Sequence, residues 1–199
     1  TQLCQVIPND IPAIIVSAGP SLNKNIDHLK NAKNKAFIVA VDTALKPLVM
    51  HGIIPDIYVI VDGKKPVTLL DFDEARRIPL MTSLSASKDV LKNHHDKKFF
   101  FNEGITIVNN LFAMNRIPFY SVACGGSVAC SAFSLVYKMG FSRIILVGQD
   151  LALTGNKTHA DGTFMDKMQT IDTSNAIMVE GNYEKEVPTR ADFKVYLDW

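Results

Sequence analysis

The sequence is short of most features that would settle its function at a glance. It holds three cysteines, Cys4, Cys124 and Cys130, a single tryptophan and no surplus of either charge: 21 Lys and Arg against 20 Asp and Glu give a formal net of +1. Three cysteines make neither an even set nor a CxxC pair, and the C-x5-C spacing of Cys124 and Cys130 matches no standard ligand arrangement, so neither a disulfide framework nor a zinc site is expected. A balance so close to neutral supplies no global field to draw the chain to nucleic acid or an anionic membrane. Any anion must then be held by a local site. No window carries 18 uninterrupted apolar residues, and the opening TQLCQVIPND lacks the basic and apolar regions of a signal peptide. The expectation is a soluble, cytoplasmic protein with neither membrane nor nucleic-acid partner. The chain does not begin with Met and ends inside a helical run, DFKVYLDW, which reads as one domain, residues 1–199, of a longer protein.

What the sequence does have is core. With 199 residues and 47% hydrophobic content it can bury a single sizeable interior. Short apolar runs rich in Ile, Val and Phe alternate with stretches of helical period, the pattern of βαβ units on a mostly parallel sheet. Because the runs are continuous rather than alternating, their strands should be covered on both faces. Strands are expected at Ala13 to Val16, Ala36 to Val41 (ending at Asp42), Ile57 to Val61, Leu80 to Thr82, Phe99 to Phe101, Phe119 to Val122 and Arg143 to Val147. Helices are expected after Ser21, from Leu45 to His51, from Lys88 to Asn93, from Ile105 to Met114 and from Val128 to Met139, the last stopped by Gly140. Asn175 to Glu180 and Lys185 to Val187 read as a β-hairpin, after which Pro188 and Thr189 should open the final helix. The pair His94-His95 reads as a solvated helix end.

In an open parallel sheet, ligands sit outside the carboxyl ends of the strands, and the unusual polar residues cluster there. Ser17-Ala18-Gly19-Pro20-Ser21 joins a strand to a helix. Gly19 permits close backbone approach, Pro20 suits a first helical turn, and Ser17 and Ser21 add hydroxyls beside free N–H groups, as a phosphate cradle requires. Gly125-Gly126-Ser127 repeats the device before a second helix. The first turn is neither GxGxxG nor a lysine-bearing P-loop. Asp42, Asp62 and Asp150 each close a strand, where they either cap loops and helices or orient ribose hydroxyls and hold Mg2+. Without a metal, positive charge must come from helix ends and from Lys24, Lys64 or Lys65. Gln149, Asp150 and His159 mark the densest reactive stretch, His159 being suited to proton transfer near neutral pH, with Asp161 placed to orient it if the loop bends.

Five motifs in order then resemble one family. They are IVSAGPSL (15–22), AVDTALKPL (40–48), GIIPD (52–56) with Val61-Asp62, GGSVA (125–129), and VGQDLA (147–152) with Thr158-His159-Ala160. Together they look like the central domain of the Maf motility-associated factors of flagellin glycosylation, itself similar to the MptE 6-hydroxymethylpterin diphosphokinases. The resemblance implies a Rossmann-like three-layer α/β/α sandwich, similar to bacterial sialyltransferases, with a small C-terminal hairpin. It further implies transfer of a nonulosonic sugar from a CMP donor to Ser or Thr of flagellin without a required cofactor. Gly19, Pro20 and Ser21 would then touch the CMP phosphate, Gly125, Gly126 and Ser127 would lie opposite, Asp42 and Asp62 would add nucleotide contacts, and Gln149, Asp150 and His159 would line the reacting centre. The alternative is the MptE-like reaction, in which ATP and Mg2+ are used and Asp42, Asp62 and Asp150 are the metal ligands. A third reading is a binding module that holds a nucleotide without turnover.

Overall fold

A computed structural model of the chain describes residues 10–117, 121–164 and 171–199. Six strands form one parallel sheet: β1 (Ala13–Val16), β2 (Phe37–Val41), β3 (Ile57–Ile60), β4 (Leu80–Ser83), β5 (Lys98–Phe101) and β6 (Ile144–Val147), in the spatial order β5-β4-β3-β2-β1-β6. β1 lies one strand in from the β6 edge, pairing in parallel register with β2 through Ala13 to Phe37 and with β6 through Ala13 to Ile144. All four of its side chains are buried, as are those of β3 and β4. That is the two-sided burial expected from unbroken apolar runs.

Successive strand residues point to opposite faces, and two cores follow. Ile14, Val16, Ile38, Ala40, Tyr58, Ile60 and Leu80 face one way, where they meet Leu22, Leu45, Leu48, Ala75 and Val90. These come from α1 (Leu22–Asn25), α2 (Asp42–Met50), α3 (Asp73–Arg77) and α4 (Lys88–Asn93). Ala13, Ile15, Val39, Ile57, Val59 and Met81 face the other way, onto Ala132, Leu135 and Val136 of α6 (Val128–Lys138). The result is a Rossmann-like α/β/α sandwich. α5 (Thr106–Met114) buries none of its residues. A separate antiparallel hairpin, β7 (Ile177–Glu180) with β8 (Glu186–Thr189), precedes α7 (Ala191–Asp198).

Four differences from the sequence reading have physical causes. Asp42 does not end a strand; it is the first residue of α2, where a carboxylate favours the helix N-terminus. Pro188 and Thr189 belong to β8, Pro188 being tolerated in a two-stranded ribbon, and the final helix starts only at Ala191. His94 is buried, 4% exposed, with Nδ1 3.2 Å from the Tyr58 hydroxyl, so only His95 is solvated. α3, with its acidic start and basic end, was not foreseen. Of the strand expected at Phe119 to Val122, Phe119 and Tyr120 fall outside the described residues, while Ser121 makes a parallel bridge to Asn102. No helix among the described residues is long and apolar enough to cross a membrane.

Leu45 is fully buried on α2, in the core it shares with β1 and β2. Leu45→Ala should cost about 2–5 kcal/mol through transfer and cavity terms, read as a lower urea midpoint at unchanged slope.

Candidate active site

The chain reverses its direction of travel across the sheet between β1 and β6, so the crevice at their carboxyl ends is the topological switch point. The first expected cradle lies here and is already filled from within. Asp150, just after β6, accepts a hydrogen bond from the Ser21 backbone N–H at 2.8 Å through Oδ2, and the Ser21 hydroxyl donates to Oδ1. The Ser21 N–H and hydroxyl expected to meet a phosphate thus hold a carboxylate of the chain itself. Gly19 is required for the same reason: a Cβ there would fall 2.5 Å from both Asp150 Oδ1 and the Gly148 carbonyl oxygen. Ser17 is 6% exposed and its hydroxyl has no hydrogen-bond partner.

Two clefts open along this edge. The larger, about 1020 Å³, lies between α2 and the segment after β3, with Lys46, Asp62, Lys65 and Glu74 in its walls. The smaller, about 180 Å³, sits over the switch point and is lined by Ser17, Gly19, Ser127, Gln149 and Asp150. Asp42, Thr43 and His159 line both. These three residues are therefore the wall between the two spaces.

Asp42 is almost wholly enclosed, its side chain 1% exposed. Its Oδ2 is ion-paired with Lys65 at 2.8 Å, and its Oδ1 accepts from the Thr43 N–H at 2.7 Å and the Thr43 hydroxyl at 3.1 Å. A buried charge needs such company. Its negative field also helps hold the Tyr58 hydroxyl protonated well above the usual phenol range, although burial is the larger cause. The His159 pKa lies below the usual imidazole range, chiefly through burial, then through the positive charges of Arg190 and Lys65; Asp42 opposes the shift. The ring is consequently neutral at pH 7 and able to accept a proton. Its Nδ1 lies 2.9 Å from the Thr158 hydroxyl. Asp161, expected to orient the ring, is ion-paired with Lys157 at 2.7 Å.

At the second expected cradle, Ser127 caps α6, its hydroxyl accepting from the Cys130 N–H at 3.1 Å. Gly125 and Gly126 do not line the small cleft; the space a Cβ would take at them is filled by the rings of Trp199 and Tyr196. Pro20 and Ser21 likewise fall outside the cleft lining, whereas Gly19 and Gln149 belong to it. Asp62 is exposed, its Oδ1 accepting from the Lys64 N–H at 2.8 Å. Thr43, Lys46 and Arg190 were missed by sequence reasoning. Thr43 and Lys46 were visible in AVDTALKPL once Asp42 is known to start a helix; Arg190 had no local signal.

Among the described residues no three His, Cys, Asp or Glu side chains gather as a metal cage requires. Asp42 and Asp62 do share the large cleft, while Asp150 is engaged with Ser21. Mg2+ takes one or two carboxylates together with phosphate oxygens and water; of these two, Asp62 is exposed at the cleft, whereas the Asp42 oxygens already hold Lys65 and Thr43.

A Rossmann-like sheet with two clefts at the carboxyl edge of its strands is the setting of a ligand-binding enzyme. The family model described as 6-hydroxymethylpterin diphosphokinase MptE-like matches residues 2–156, and the chain belongs to this MptE-like family. It is also similar to a solved structure of a Maf glycosyltransferase from Magnetospirillum magneticum AMB-1, with a TM-score of 0.72 at 18% identity. That match covers 94% of this chain and 30% of the other, so the chain spans under a third of that protein's length. No curated protein matches.

Two measurements test the geometry. Gly19→Ala should lower stability by about 1–3 kcal/mol, as an overpacked contact does. An NMR titration should put the His159 midpoint below the ordinary imidazole value, and Arg190→Gln should raise it, since a positive neighbour is removed.

Proposed function

We propose that the chain transfers pyrophosphate from ATP to the hydroxymethyl group of a pterin-like alcohol. The observation that carries this reading is the shared wall: a cleft large enough for a nucleoside triphosphate and a small one suited to an acceptor meet at Asp42, Thr43 and His159. Membership of the MptE-like family supports the same choice. Lys46 and Lys65 supply cationic charge to the triphosphate in place of a P-loop lysine. Asp42 and Asp62 would hold Mg2+, which when bound neutralises phosphate charge. The acceptor oxygen attacks the β-phosphorus, the bond from that phosphorus to the α–β bridging oxygen breaks, and AMP departs with the electron pair. The hydroxyl proton passes to neutral His159. Residues 1–199 act in this reading as one catalytic unit.

A second reading is sialyltransferase-like transfer of a nonulosonic sugar from a CMP donor to flagellin Ser or Thr, independent of metal. It is supported by a fold likeness over 94% of the chain, beyond the family match that stops at residue 156. Against it, the Ser21 N–H and hydroxyl that would receive the CMP phosphate are bonded to Asp150.

Incubation with ATP, Mg2+ and 6-hydroxymethylpterin should release AMP and the pterin diphosphate in equal amounts, and EDTA should stop it. CMP binding without ATP binding, with sugar transfer that survives EDTA, would reject the first reading in favour of the second. His159→Gln should lower kcat by about 10²–10⁴, the usual worth of a general base. Because the imidazole must be neutral, activity should rise with pH through a midpoint below the ordinary histidine value, and Arg190→Gln should shift that limb to higher pH.

A further inference from the structure

We infer that the acceptor is selected by α7, whose Phe193 and Tyr196 form an aromatic wall of the small cleft against which a flat heteroaromatic ring packs, while the Ser17 hydroxyl bonds the ring's polar edge. The inference rests on the reading that this cleft holds the acceptor. Three observations carry it.

First, both side chains line the cleft, although α7 lies beyond residues 2–156 where the family model matches. Most of the lining comes from the matched region, Thr158 and His159 follow just after it, and α7 supplies the aromatic side. Second, both rings are held in place by the protein. An ideal Cβ on Gly126 would fall 2.9 Å from Tyr196 Cε1, so the ring occupies the space that this glycine leaves at the start of α6. Arg190 lies 4.9 Å from the Phe193 ring centroid and is itself held by Asp192, Nε to Oδ1 at 3.0 Å and Nη2 to Oδ2 at 2.5 Å. The two ring centroids stand 6.4 Å apart at an interplanar angle of 43°, an angled rather than a self-stacked pair. Rings held in this way lose little freedom when a ligand packs on them. Third, the Ser17 hydroxyl at the end of β1 is buried without a partner. Buried polar atoms in folded proteins are nearly always paired, so a ligand atom that bonds it completes the site.

The cleft's size selects within this chemistry. At about 180 Å³ it lies below the span of roughly 300–1,000 Å³ usual for drug-sized ligands. A fused two-ring heterocycle suits it and a nucleoside triphosphate does not. Gln149 adds a side-chain amide able to donate and accept at the ring edge.

The test uses the intrinsic fluorescence of 6-hydroxymethylpterin to measure its binding to the full chain, with ATP binding followed separately by calorimetry. Phe193→Ala and Tyr196→Ala should each weaken pterin binding about tenfold, as loss of a stacking ring does, and leave ATP affinity unchanged. Tyr196→Phe, which keeps the ring, should retain pterin affinity, and Ser17→Ala should reduce it. If Tyr196→Ala does not fold, Phe193→Leu reads the same quantity while keeping the volume. Pterin binding that is unaltered by loss of either ring overturns the role of α7 and leaves the diphosphokinase reading standing. Failure of the unaltered chain to bind pterin, with CMP bound instead, overturns that reading and this inference with it.

Discussion

The carboxylate of Asp150 organises this site. By taking both the N–H and the hydroxyl of Ser21 it ties the end of β6 to the start of α1, across 129 residues of sequence. Backbone bonds continue the seam, from the Gly19 N–H to the Gly148 carbonyl at 2.7 Å and from the Ala160 N–H to the Ala18 carbonyl at 2.8 Å. The Asp161 N–H adds a bond to the Asn23 side chain at 3.1 Å. The polar loop after β6 is thus pinned at both ends to the turn after β1. That pinning sets His159 beside Asp42 and Thr43. A loop of this composition would not hold the His159 ring in one place without it.

Filling a helix start with an internal carboxylate changes how the edge binds anions. Had the Ser21 turn stayed open, its N–H groups would have offered the phosphate site that the sequence suggests. With Asp150 there, the cationic side chains along this edge are Lys46 and Lys65, in the lining of the larger cleft. The near-neutral composition fits this: the cations needed are few and local. Lys65 also neutralises Asp42, so a cation proposed to bind phosphate is paired with the carboxylate proposed to hold Mg2+.

Much of the sheet was legible because parallel strands covered on both faces must be continuous apolar runs. β1 begins and ends at the expected residues, and β2 to β6 match within a residue or two. The site was less legible, for reasons of distance. Asp150 reads as a strand-end acid in its own neighbourhood, and nothing near it reveals Ser21 as its partner. His94 reads as part of a charged helix end, HHDKK, yet its ring turns inward to Tyr58, where burial and the Lys98 charge hold it toward the neutral form. Asp42 reads equally well as the last residue of a strand or the first of a helix. Only the α2 geometry separates the two, and with it come Thr43 and Lys46, one and four residues on.

The glycines of Gly125-Gly126-Ser127 show how one motif serves two neighbours. Ser127 caps α6 and faces the small cleft, while the missing side chains at Gly125 and Gly126 make room for Trp199 and Tyr196. Substituting either glycine would therefore disturb the seat of α7 before it touched any ligand. The same residues read as an anion cradle in sequence act here as the socket of a helix. The sheet edge that carries Asp42 and Thr43 and the docked helix that walls the small cleft are separate elements. Such a division would let one α/β framework keep one cleft while the chemistry that the other accepts varies.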